Sequence, residues 1–513
     1  MTDNKKITIS KKTEPDLYKR SIKGGYWVFA SNILELAKTI LIANLFRLED
    51  LGLLSICYML ISLLSQFSES GLQNALIQKK DEITREYLDT TWVVGILRGI
   101  ALSLILFFVA PFFVTLIDKT PLAEISTEKI PLAVSIIRVI GLCFVIQGFR
   151  NIGTIFFQKD LRFHKVFYLS VIGTLFDFVL TVILVLVFRS IWGVIISRVA
   201  VSLITCVFSF ILSPYRPRFR FHPAKAMELW KFGKWIYGQQ IINYILTEGD
   251  DFFVLFYLGL PSLALYRHAF RFACIPATHI TNIISRISFP AYAKIQNDIP
   301  RLKEAYLKVL RITSLSSIPI AFLIFILCPD FVHLTLPERM YPIIPVMQIL
   351  AFKGLIKSIG STRGPLFRAL GKPQIAWHLH LLRLVILGCS IYPLTKMWGI
   401  AGTAIATVTL NVVIGPLGVL ITKRLLKCTF MDTLRMGFLP FLASAAMLAW
   451  IAIFKKFLFQ EVSYPSFIIL FLSAIIVYGG TAWIIALYLD KSYIIIIKEL
   501  LGLKKLKIEN IAS

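Results

Sequence analysis

Charge is scarce in this chain. Of its 513 residues only 16% are Asp, Glu, Lys or Arg, against about 25% in an average soluble domain. Acidic residues are scarcer still: 29 Asp and Glu face 55 Lys and Arg, a formal net charge of +26. No polar linker divides the chain, and no connection between its apolar runs could house a further domain of roughly 50 residues or more. This excludes a soluble multidomain enzyme and a disordered protein. No G-x-x-x-x-G-K-[ST] stretch is present, so direct use of ATP is not expected. The seven cysteines (Cys57, Cys143, Cys206, Cys274, Cys328, Cys389 and Cys428) lie far apart, mostly inside apolar runs, without a C-x-x-C pair. They read as packing residues rather than as a disulfide framework, a metal site or a redox site. The first twenty residues are polar and basic and contain no short apolar core, so no secretory leader is expected there.

What is abundant is apolar sequence, at 57% of residues. Runs of about 20 apolar residues, enough for a helix to cross a ~30 Å hydrocarbon core, follow one another between residues 21 and 489. Fourteen are counted, the first, second and seventh being richest in polar groups. The expected fold class is an all-α polytopic membrane protein of about fourteen transmembrane helices. With the N-terminus placed in the cytoplasm, the inner connections carry several times as many Lys and Arg as the outer ones, as the positive-inside rule requires. The segment after the sixth run alone holds Arg216, Arg218, Arg220, Lys225, Lys231 and Lys234, while the turn near 248–261 holds no Lys or Arg. Both termini are therefore expected inside. The positive charge reads as topology plus attraction to an anionic inner leaflet, not as nucleic-acid binding.

A repeat organises these runs. Lys23-Gly-Gly-Tyr-Trp27-Val-Phe29 is echoed by Lys231-Phe-Gly-Lys-Trp235-Ile-Tyr237, and Leu51-Gly52 by Leu258-Gly259. Trp192-Gly193-Val194 is echoed by Trp398-Gly399-Ile400. The two sets are offset by about six runs, an even number, so the halves share one orientation and are related by an axis along the membrane normal. The expected organisation is a cytoplasmic basic tail (1–20), a six-helix lobe (21–212), a basic cytoplasmic linker (213–231), a second six-helix lobe (232–425), two additional helices (426–490) and a second basic tail (491–513). Two like-oriented bundles can rock to open a cleft to either side of the membrane in turn, which points to a carrier.

Charges retained at bilayer depth are costly and normally face a cavity or a partner. In the first half these are Glu35, Lys38, Arg98, Arg138, Asp177 and Arg198; in the second, Asp250, Asp251, Arg267, Arg271, Arg311, Lys353, Lys357 and Arg383. Glu35 and Lys38 are three apart and can neutralise each other on one helix face. Arg267 and Arg271, and likewise Lys353 and Lys357, are four apart. Like charges stacked in this way need an anion or opposing carboxylates, and Asp250 and Asp251 are available on the preceding run. Arg98, Lys353 and Lys357 are also placed to snorkel toward the inner interface. Cations outnumber carboxylates in this set, a balance suited to a phosphate or pyrophosphate head group and unsuited to an organic cation. The candidate anion contacts are Arg267, Arg271, Lys353, Lys357, Lys38 and Arg98, and the candidate ion-coupling or salt-bridging residues are Glu35, Asp250 and Asp251. His378 and His380 are two apart and do not share a helix face, so a metal pair is not expected there. No catalytic constellation and no cofactor motif stand out.

Several stretches, in order, resemble the Wzx-type polysaccharide flippases of the multidrug/oligosaccharidyl-lipid/polysaccharide (MOP) superfamily. Arg47-Leu-Glu-Asp-Leu-Gly52 resembles a turn of that family between its first two helices, shortened here. Glu69-Ser-Gly-Leu72 with Ala75-Leu-Ile-Gln-Lys-Lys-Asp81 resembles its next inner connection. Arg150-Asn151 with Phe163, Asp251, Leu258-Gly259, Tyr266, Pro276, Phe289-Pro290, Gln296-x-Asp298 and Gly371-Lys-Pro373 continue the pattern over residues 20–425. One departure stands out: Leu263-Ala-Leu-Tyr-Arg267-His-Ala269 carries Arg267 where the family has a small residue.

The resemblance implies fourteen helices in two six-helix lobes plus two. It implies transport by alternating access, coupled to an ion gradient or membrane potential. The implied substrate is an undecaprenyl-pyrophosphate-linked oligosaccharide, moved across the bacterial inner membrane for O-antigen, capsule or exopolysaccharide assembly. Its partners would be that lipid-linked substrate, the phospholipid bilayer, a polysaccharide polymerase and its chain-length machinery, and a monomer is expected. The alternatives are a small-molecule or drug antiporter of the same superfamily, a flippase for a peptidoglycan lipid precursor, and, from another class, a membrane-embedded polymerase or acyltransferase.

Overall fold

The computed structural model describes residues 32–68, 83–118, 129–159, 163–457 and 463–489, with 76 and 493 as isolated positions. Helices dominate, and among the described residues there is no strand. In chain order they are α1 (32–45), α2 (Leu48–Ser68), α3 (Arg85–Asp118), α4 (Ile130–Gly148), α5 (Phe163–Phe188) and α6 (Ile191–Leu212). The helix Pro223–Lys294 is broken at Gly259 (φ 83°, ψ −178°), and its arms are α7 and α8. Next come α9 (Ile299–Thr335), α10 (Ile343–Ser361) and a seven-residue helix, Arg363–Ala369. Pro373–Leu426 is broken at Trp398 and Gly399 (φ 56°), giving α11 and α12. The chain continues with α13 (Phe430–Phe457) and α14 (Tyr464–Leu489). Both breaks fall on the repeated glycine motifs, at positive φ that a residue without Cβ adopts freely.

Ten stretches among the described residues are long and apolar enough to cross a membrane. Two of them, Tyr244–Cys274 and Gln374–Leu426, run through the breaks, so each covers two of the expected spans. Fourteen crossings remain the expectation, since the start of the first lies outside the described residues. The surface is inside-out by the standards of a soluble protein. Phe108, Phe112, Ile476 and Tyr488 are exposed, Phe108 by 71%, as helices bathed in lipid require.

The described residues fall into two compact units. One lies within Met1–Leu41, Leu60–Phe113 and Pro131–Gln240. In it α5 packs against α6, and α3 approaches α4 closely through Gly95, Gly99 and Gly148. A methyl group on Gly148 would lie 2.8 Å from the Gly95 carbonyl oxygen, and one on Gly99 would collide with that of Phe144. This is the small-xxx-small packing of membrane helices, where association depends on close backbone contact rather than hydrophobicity. Gly99→Val is therefore expected to lower the melting temperature of the detergent-purified protein by several degrees; an unchanged value would show that this crossing relaxes freely.

The other unit comprises Ile42–Met59, Val114–Ile130 and Ile241–Ser513. Here α9 packs against α10 and α13, α13 against α14, and α10 against the α11–α12 pair. The end of α1 and the start of α2 belong to this unit. Gly52 of α2 makes that seat possible: a Cβ there would lie 2.7 Å from the Leu260 carbonyl oxygen. The glycine of the first Leu-Gly member thus lies against the residue that follows the second. The stretch Gly371-Lys-Pro373 is a turn in which Gly371 takes φ 67° and Pro373 opens α11, the position where proline's missing N–H costs nothing. All seven cysteines are free.

Candidate functional site

Three groups of polar residues stand out against the apolar helices. The first, in the unit holding α3 to α6, centres on Asp177 of α5. It is buried and accepts a hydrogen bond from the buried Lys38 of α1. Lys38 also lies 3.4 Å from Glu35, the neighbour on its own helix face, and Arg198 of α6 stands 3.8 Å from Asp177. One position earlier on α6 and one turn further along α5, Ser197 and Thr181 share a hydrogen bond of 2.8 Å. The expected Glu35–Lys38 pair is present, with Asp177 as the nearer partner.

The second group lies in the unit holding α7 to α14. Asp250 of α7, 2% exposed, accepts hydrogen bonds from Lys353 of α10 (3.0 Å) and from the Tyr266 hydroxyl of α8 (2.7 Å). Lys353 also lies over the Phe270 ring at 4.8 Å. The adjacent Asp251 accepts from Arg267 of α8 at 2.6 Å, and the same guanidinium nitrogen reaches Glu248 at 3.2 Å. Successive residues on a helix project about 100° apart, so neighbouring aspartates serve different cations. Arg267, the departure from the family pattern, is thus matched by two carboxylates, and Arg271 sits half-buried one turn further on. Lys357, one turn beyond Lys353, forms no ion pair among the described residues. Arg98 lies on α3 in the other unit.

The third group is a clasp, also in the second unit. Arg339, in a 3-10 turn between α9 and α10, donates to the carbonyls of Ala43 (3.0 Å), Asn44 (2.9 Å) and Phe46 (2.9 Å). These are carbonyls at the end of α1, whose last turn has no intrahelical donors. The Asn44 amide donates back to the Thr335 carbonyl at 2.7 Å. Lys129 binds Glu49 (2.6 Å) and Asp50 (2.9 Å) at the start of α2. Burial opposes the charge on Lys129, but hydrogen bonds and attraction from both carboxylates outweigh it and raise its pKa above the ordinary lysine value. This clasp was not foreseen. Arg339 is a lone cation on a connection expected to lie outside, and nothing local distinguishes it.

In the first unit, the basic segment after α6 is strapped to the start of α3. Tyr215 donates to Asp89 at 2.5 Å, the Arg218 N–H to the same carboxylate at 2.9 Å, and the Asn151 amide to the Tyr215 carbonyl at 2.7 Å. Burial, followed by the Asp89 carboxylate, pushes the Tyr215 hydroxyl well above the usual tyrosine range, so it remains a donor at neutral pH. Asn151, part of the Arg-Asn stretch, also caps the following turn by accepting from the Gly153 N–H at 2.8 Å. The opening repeat around Lys23 and the Glu69–Leu72 stretch lie outside the described residues.

The family profile described as "Polysaccharide biosynthesis protein" matches residues 41–345, more than half of the chain. The chain belongs to that family. Among curated relatives, the lipopolysaccharide biosynthesis protein WzxC of Escherichia coli is 25% identical over 77% of this chain and 80% of its own length. The teichuronic acid biosynthesis protein TuaB of Bacillus subtilis is 20% identical over 84% and 88%. The succinoglycan biosynthesis transport protein ExoT of Rhizobium meliloti is 22% identical over 67% of each chain. Among solved structures, the lipid II flippase MurJ in an inward closed conformation superposes with a TM-score of 0.74 at 18% identity, covering 91% of this chain and 99% of that one. A multidrug-resistance MATE transporter of the MOP superfamily gives 0.63 at 16%, covering 78% and 96%. The fold is thus the helical fold that these solved transporters share, in a multi-pass membrane protein.

Proposed function

We propose that this protein is a flippase that carries undecaprenyl-pyrophosphate-linked oligosaccharide units across the bacterial inner membrane, for O-antigen, capsule or exopolysaccharide synthesis. It works by alternating access, as a monomer with both termini in the cytoplasm, and delivers its cargo to a polysaccharide polymerase and chain-length machinery. The observation that carries this reading is the combination of a polysaccharide-biosynthesis family with a transporter fold shared by a lipid-precursor flippase.

The intramembrane charges support an anionic cargo. Asp177, Asp250 and Asp251 are each held by Lys or Arg, so they offer no free carboxylate to an organic cation, and a drug antiporter is disfavoured. Pyrophosphate oxygens would compete with these carboxylates for Lys38, Arg267 and Lys353, while Arg98, Arg271 and Lys357 add positive potential. Exchange of partners of this kind can link cargo binding to ion uptake at Glu35, Asp250 and Asp251.

Deleting the gene in its host and extracting lipid-linked intermediates tests this reading. Repeat units should accumulate, shielded from a membrane-impermeant label, and surface polysaccharide should be lost. Unchanged surface polysaccharide would overturn the proposal.

A further inference from the structure

In the second unit Arg267 and Lys353 have carboxylate partners, but one cluster of cations does not among the described residues. Lys357 lies one turn before the end of α10, and Arg363 opens the short helix that follows. His380 and Arg383, three apart on one face of α11, complete it. The α10 helix and the short helix both pack against the α11–α12 pair. Arg383 lies within electrostatic reach of Lys357, Arg363 and His380. Among the described residues no ion pair involves any of the four. Asp250 lies within electrostatic reach of Lys357 but is already engaged by Lys353 and Tyr266.

Three polar atoms of this cluster are left unsatisfied. Arg363 Nε, Arg383 Nε and His380 Nδ1 are buried without a hydrogen-bond partner. Arg363 is nevertheless held in place: its Nη1 donates to the Gly415 carbonyl at 3.1 Å, and a side chain on Gly418 would collide with its guanidinium. α12 thus keeps a glycine surface on which this arginine lies. Guanidinium nitrogens buried without a hydrogen-bond partner, in a cluster of like charge, make a site that is incomplete without an anion.

We propose that Lys357, Arg363, His380 and Arg383 form the site that receives the pyrophosphate of the lipid-linked cargo at the cytoplasmic end of α10 and α11. This rests on the flippase reading and its orientation, and it deepens both. Two planar guanidinium groups can each take a pair of phosphate oxygens, the lysine adds a third charge, and the imidazole adds a donor or acceptor. Three positive charges suit a two-phosphate group better than a single phosphate diester. Arg267 and Lys353, with their own carboxylates, then act after this loading step.

The test uses the full-length protein in nanodiscs of zwitterionic lipid, with undecaprenyl pyrophosphate and inorganic pyrophosphate as separate probes. Arg383→Gln and Lys357→Gln should each weaken binding of undecaprenyl pyrophosphate about 10- to 100-fold, the range for losing one hydrogen bond to a charged group, with Arg383→Lys recovering part of the loss. These two variants carry the test if Arg363→Gln, whose side chain is packed on α12, fails to fold. If the wild type binds the lipid and both folded variants bind it equally well, this site is wrong while the flippase reading stands. If only inorganic pyrophosphate binds, and the variants lose it, the anion site stands and the lipid cargo does not. If the wild type binds neither probe, both fail.

Discussion

Asp250→Ala is expected to cut the amount of folded protein in the membrane sharply and to abolish polysaccharide export. Asp250 is buried and is the acceptor for both Lys353 and Tyr266. Removing the carboxylate leaves an ammonium group inside the helix bundle without its counter-charge. Breaking a buried pair in this way costs about 3–5 kcal/mol, a large part of the roughly 5–15 kcal/mol that holds a typical domain together. The double variant Asp250→Ala with Lys353→Met removes both charges and should regain abundance, because no charge is left stranded. It should still fail to export, because the exchangeable pair is gone. Immunoblotting of membranes, melting in detergent and surface polysaccharide staining separate the two effects. A single variant as abundant as wild type would show that Lys353 reaches water, and a double variant that exports normally would reduce the pair to a structural role.

Arg339→Ala is expected to unseat the end of α1 and the start of α2. Three carbonyls lose a charged donor, at about 1.5–3 kcal/mol for each hydrogen bond to a charged group, although losses on one guanidinium do not add fully. The Asn44–Thr335 bond and the tight approach of Gly52 to Leu260 then have less to hold them in register. Ser55, buried on α2 with its hydroxyl bonded to the Leu51 carbonyl, reports on this. In a cysteine-free background, Ser55→Cys should react with a hydrophilic maleimide at least about tenfold faster once Arg339 is replaced, a factor equivalent to ~1.4 kcal/mol. Export should fall in parallel. Equal reactivity with and without Arg339 would show that the clasp does not govern access.

Much of this architecture is legible in the sequence because it depends on composition and local spacing. Apolar runs mark the helices, and the repeated Gly259 and Gly399 mark the two breaks. Glu35 and Lys38 are three apart on one helix, so their pairing needs no tertiary knowledge. The carboxylates available to Arg267 could be named because α7 and α8 are consecutive. Pairings that depend on helix rotation or on distant packing could not be read. Lys38 finds Asp177 139 positions away, and Arg339 reaches carbonyls nearly 300 positions upstream. Whether Lys353 takes Asp250 or Asp251 depends on which way α7 faces, and Glu248 joins Arg267 because it lies three residues before Asp251 on the same face. The unpartnered set at Lys357, Arg363, His380 and Arg383 was hidden for a different reason. A cation without a counter-charge is recognised only once every carboxylate has been assigned to another group.

The most direct test of the central claim is translocation by the purified protein alone. Proteoliposomes would be loaded with an undecaprenyl-pyrophosphate-linked oligosaccharide from the host, and the sugar reaching the opposite leaflet read by a lectin that does not cross the membrane. The account predicts that sugar appears on the far side only when the protein is present, and that Arg383→Gln slows its appearance. Equal sugar exposure in vesicles with and without the protein, under an imposed proton or sodium gradient, would contradict it.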